Sequence, residues 1–77
     1  MLCTYSTIET LSRLKLALEN DNFEMSAVWL LSGNSAKETR REIMQIITGE
    51  KLPISKCGYH KVCDATIEYL KNKYSIN

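Results

Sequence analysis

Seventy-seven residues, 44% of them hydrophobic and 25% charged, make one globular domain and are too few for two. Ten basic against nine acidic side chains leave a net charge of +1, which removes the electrostatic case for nucleic acid or an anionic membrane. The longest apolar run, Ala27 to Leu31, is far below the roughly 20 residues that span a bilayer.

Met1-Leu2-Cys3-Thr4-Tyr5 has neither the charged nor the apolar region of a secretory signal. Three cysteines, an odd number, read as free thiols in a reducing cytoplasm. Charge is mildly uneven. Residues 1–50 carry five basic and seven acidic side chains, and residues 51–77 carry five and two, so the chain ends in a weakly cationic third.

The first helix is expected over Thr7 to Glu19. Ser6-Thr7-Ile8-Glu9 matches the Ser-x-x-Glu capping box, in which each side chain accepts a hydrogen bond from an otherwise orphan amide. Ile8, Leu11, Leu14 and Leu18 make its apolar face, and Leu16 lies off that stripe. Asn20-Asp21-Asn22 is the turn, and Asp21 or Asn22 can cap the second helix.

That second helix is expected over Phe23 to Ser32, and it is the most informative segment. At 100° per residue Phe23, Ala27, Leu30 and Leu31 cover one arc, while Met25, Val28 and Trp29 cover most of the other. A helix that is apolar nearly all round wants neighbours on every side. It is therefore expected to be the most central helix, yet a 77-residue chain has few neighbours to offer, so some of its apolar surface is expected to be left over for a partner.

Gly33-Asn34-Ser35 is a tight connection, and Ser35-Ala36-Lys37-Glu38 repeats the capping-box spacing. The third helix is expected over Ala36 to Thr48 and ends at Gly49. Ala36, Ile43, Ile46 and Ile47 form its apolar arc, with Met44 at the margin; Lys37, Glu38, Arg41, Glu42 and Gln45 form its polar arc. Pro53 marks a loop from Gly49 to Cys57. The fourth helix is expected over Gly58 to Tyr74, with Tyr59, Val62, Cys63, Thr66, Ile67, Leu70 and Tyr74 on one stripe. Ser75-Ile76-Asn77 should fray. The pattern as a whole is all-α: a compact single-domain bundle of four short helices spanning residues 1–77, built around the apolar second helix.

Few side chains suggest chemistry. Cys57, His60 and Cys63 are the ligand types closest together, but on a helix they point in different directions. Only Cys3 could add a fourth thiolate or imidazole for tetrahedral zinc. No metal and no cofactor is expected. One histidine without an orienting partner, and no Gly-rich loop after a strand, argue against an enzyme and against a small-molecule substrate.

Binding is the better class. Met25, Val28 and Trp29 with Tyr69 are the residue types that anchor protein contacts. The expected function is a small regulator or inhibitor that binds a protein, or itself as a homodimer, through the second and fourth helices. Any one of these side chains, taken singly, reads more readily as core.

The alternative is a helix–turn–helix transcriptional regulator. It would use Lys37, Arg40, Arg41 and Gln45 on the third helix to reach phosphates and base edges. Thr48-Gly49-Glu50-Lys51-Leu52-Pro53 resembles the loop after the recognition helix of phage-repressor domains. Gly33 to Gly49, however, is about one helical turn longer than in that pattern. Glu38 and Glu42 also offset Lys37 and Arg41, which leaves little counterion release to drive binding.

Overall fold

In the computed structural model of the protein, which describes residues 5–76, Ser6 opens the first helix with both bonds of the capping box. Its hydroxyl accepts from the Glu9 amide at 3.1 Å, and the Glu9 carboxylate accepts from the Ser6 amide at 3.3 Å. Cys3, the one candidate for a fourth metal ligand, and Asn77 lie outside the described residues.

Helix α1 spans Thr7–Glu19 and α2 spans Phe23–Leu31. Between them Asp21 takes a left-handed φ of 56°. The Asn22 amide bonds to the Ala17 carbonyl at 2.7 Å and the Asp21 amide to that of Leu18 at 3.3 Å, which closes the end of α1 in a Schellman turn. Asn22 stands at the start of α2, but its side chain makes no capping bond.

Helix α3 spans Lys37–Thr48, one residue shorter than expected, because Asn34–Ala36 winds into a separate 3₁₀ turn. That turn absorbs Ser35, so the second capping box does not form and Ala36 takes the N-cap position without a side-chain bond. Gly49 ends the helix at φ 77°, donating to the Gln45 carbonyl at 2.8 Å. A second 3₁₀ turn, Ile54–Lys56, leads into α4, Tyr59–Tyr74. Ser75 adopts φ 54°, and the Ile76 amide bonds to Lys71 at 3.1 Å. Residues 75 and 76 therefore close the last turn of α4.

One core joins the four helices: Leu14 and Ala17 from α1, Phe23, Ala27 and Leu31 from α2, Ile43 and Met44 from α3, Val62 and Leu70 from α4, with Cys57 from the preceding loop. The radius of gyration, 11.6 Å, is close to the roughly 11.5 Å expected of a single packed domain this size. Two surface links tie α1 across it. The Thr7 hydroxyl donates to Glu42, and the Lys15 ammonium sits 4.7 Å from the Tyr74 ring centroid.

Three expectations for the core need correction, besides Tyr74, which is 45% exposed at the end of the α4 stripe. Ile8 is 66% exposed, because α1 turns Thr10, Leu14 and Ala17 inward instead. On α3 the buried stripe is Arg40, Ile43 and Met44, and Ile46 is exposed. The third concerns α2. It touches each of the other helices, so it is central in its contacts, but it makes them with one face only.

The reason is thickness. The protein measures 32 × 30 × 19 Å, and 19 Å is about two helix diameters of roughly 10 Å. In a slab two helices deep, every helix keeps one side in water.

Candidate protein-binding surface

Phe23, Ala27 and Leu31 are spaced four apart, and their burial fixes the rotation of α2 about its own axis. The opposite stripe is then committed to solvent. Trp29 is 86% exposed, Met25 67% and Val28 54%. For these three, taken singly, the core reading gives way.

Beside this stripe α1 contributes Leu16, 56% exposed, and between the two helices lies an open groove of about 950 Å³. Leu16, Met25, Trp29 and Leu30 supply its apolar lining; Ala36 and Thr39, at the start of α3, close one end. Arg13 also lines it, its guanidinium carbon 4.0 Å above the Tyr5 ring centroid. Sequence reasoning passed over Arg13, Tyr5 and the groove itself. Its one available signal was Leu16, an apolar residue off the apolar stripe.

Tyr69 is not part of this surface. It is half-buried on α4, where its hydroxyl accepts from Lys73 Nζ at 3.2 Å and its ring packs against the core. It does not line the groove. The expected surface shared by the second and fourth helices thus reduces to α2 with α1.

The four residues of the duplex-binding reading are also separated. Lys37 and Gln45 are exposed, while Arg41 is held by Glu38 at 2.8 Å. Arg40 is only 8% exposed. Its Nε donates to the Cys57 carbonyl at 3.0 Å, and its Nη1 donates to the carbonyls of Leu31 at 2.5 Å and Gly33 at 2.9 Å. Arg40 therefore caps the end of α2 and pins the loop before α4 to α3. The planar, many-donor guanidinium suits that task, because it reaches three carbonyls from one side chain, sharing that of Gly33 with the Ala36 amide.

Cys57 is buried and Cys63 half-buried, both as free thiols, and His60 is exposed. Among the described residues no three His, Cys, Asp or Glu side chains converge to hold a metal ion. Tyr59 and Cys63 lie one turn apart on α4. Burial pushes the Cys63 thiol up, against a smaller lowering by a hydrogen bond with Tyr59. Burial and the same bond push the Tyr59 phenol up. Neither group is thereby made a nucleophile at neutral pH. No helix among the described residues is long and apolar enough to cross a membrane.

Comparison with protein-family models, curated proteins and solved structures returned no match.

Proposed function

We propose that the protein is a small, non-enzymatic helical regulator or inhibitor that acts by binding a partner protein through the outer face of α2 and the adjoining groove. One observation carries the reading: the chain's single tryptophan is 86% exposed, with Met25, Val28 and Leu16 exposed around it. Covering an indole of about 200 Å² at about 25 cal/mol/Å² is worth roughly 5 kcal/mol before association costs. Contiguous apolar surface of this kind marks interaction sites. The free thiols of Cys57 and Cys63 support a reducing compartment, the cytoplasm, as its place of action. The duplex-binding alternative has weaker support, since Arg40 is spent on backbone carbonyls and Arg41 on Glu38.

The test is affinity capture from native-host extract treated with nuclease, using wild type, Trp29→Ala and a Lys37→Ala/Gln45→Ala double variant. The reading expects a nuclease-resistant protein retained by wild type and by the double variant and lost with Trp29→Ala. Retention indifferent to Trp29, or abolished by nuclease, would overturn it.

A further inference from the structure

We infer that the groove between α1 and α2 takes an amphipathic helix of a partner protein, one that carries a carboxylate at the edge of its apolar face. The inference rests on the proposed protein-binding function and specifies the partner's chemistry.

The walls of the groove are two α-helices, whose backbone groups are paired along each helix except in the uncapped first turn of α2. They offer no edge onto which an extended segment could add hydrogen bonds. An occupant that buries its own main chain here must arrive with those groups satisfied, and a helix does so.

Leu16, Met25, Trp29 and Leu30 present apolar side chains from both walls, a surface read by residues at i, i+3, i+4 and i+7 of a docked helix. The flexible thioether of Met25 and the flat indole of Trp29 adapt to such side chains at low cost in ordering.

Arg13 is the one charged side chain on the groove. Among the described residues no carboxylate pairs with it; the ion pairs found join Lys15 to Glu19 and Arg41 to Glu38. The Tyr5 ring covers one face of its guanidinium. Stacking of this kind holds the group in place and leaves its donor edge for a bidentate acceptor. A cationic or neutral helix would leave Arg13 unanswered beside apolar surface. An acidic one answers it, and the absence of any acid on the groove means that nothing there repels the incoming carboxylate.

The probes are two synthetic helices of about 14 residues with Leu at i, i+3, i+4, i+7 and i+11, one bearing Glu and the other Lys at the flanking positions. Binding to the full chain is followed by Trp29 fluorescence. The Glu helix should shift the emission to the blue and bind at least about tenfold tighter than the Lys helix, and Arg13→Glu should reverse that order. Equal affinities, or a preference unaltered by Arg13→Glu, would overturn the proposal. So would a concentration-dependent dimer that shields Trp29 without peptide, which would assign the groove to a second copy. A natural partner captured through Trp29 with neither peptide bound would refute the acidic helix and leave the protein-binding reading intact.

Discussion

Trp29 and Arg40 exchange the places that their chemistry suggests. The largest apolar side chain of the molecule stands in water on the outer face of α2, while an arginine fills the junction where α2, α3 and the loop before α4 meet. Both arise from geometry and not from hydropathy. A slab two helices thick has no interior left for a second apolar face. A helix end and a loop brought together in the interior, by contrast, present carbonyls that need donors. Polar demand at the junction draws in the arginine, and lack of depth keeps the tryptophan out.

The comparison can be broken first at the junction. Arg40→Met takes a donor from the Leu31, Cys57 and Gly33 carbonyls, of which Gly33 keeps the Ala36 amide, and should cost about 3–5 kcal/mol, close to unfolding for a domain whose total stability is expected at roughly 4–12 kcal/mol. Arg40→Lys should recover less than half, since a point charge cannot span Leu31, Gly33 and Cys57 together. Urea melts read both.

The two faces of α2 give the next contrast. Leu31→Ala removes a side chain with no exposed area and should destabilise by about 2–5 kcal/mol. Trp29→Ala, two residues away, should move stability by no more than about 0.5 kcal/mol. Equal losses at the two positions would mean that α2 is enclosed after all.

The smallest expected effect is with pH. The folded values of Cys63 and Tyr59 lie above their unfolded ones, so the folded state holds those protons more tightly. Stability from this source is complete below about pH 9 and declines as pH rises through the folded values. Cys63→Ala should flatten the first part of that decline in thermal melts taken between pH 8 and 11.

Much of the fold was legible in the sequence. The capping box at Ser6, Gly49 at the end of α3 and the stripe of α4 as far as Leu70 each state a local rule that the structure obeys; Tyr74, at the end of that stripe, is exposed. What sequence patterning missed was non-local. Arg40 stands four residues after Ala36 and three before Ile43, squarely on the buried stripe of α3. Its charge nevertheless marked it as surface, because the carbonyls that accept it come from 31, 33 and 57. Ser35 has the spacing of a cap, but a 3₁₀ turn takes it first. For the site, the amphiphilic conflict within α2 was visible in Met25, Val28 and Trp29. Which arc would win was not visible, because that depends on how many layers the other helices build. The groove needed α1 beside α2, and Arg13 became part of it only through Tyr5.

The most direct test uses the single indole as its own reporter. Acrylamide quenching of Trp29 should be measured in a dilute sample that sediments as a monomer. Quenching should be close to that of a free tryptophan derivative. An indole shielded in that lone monomer would place Trp29 in the core and contradict the binding surface at its root.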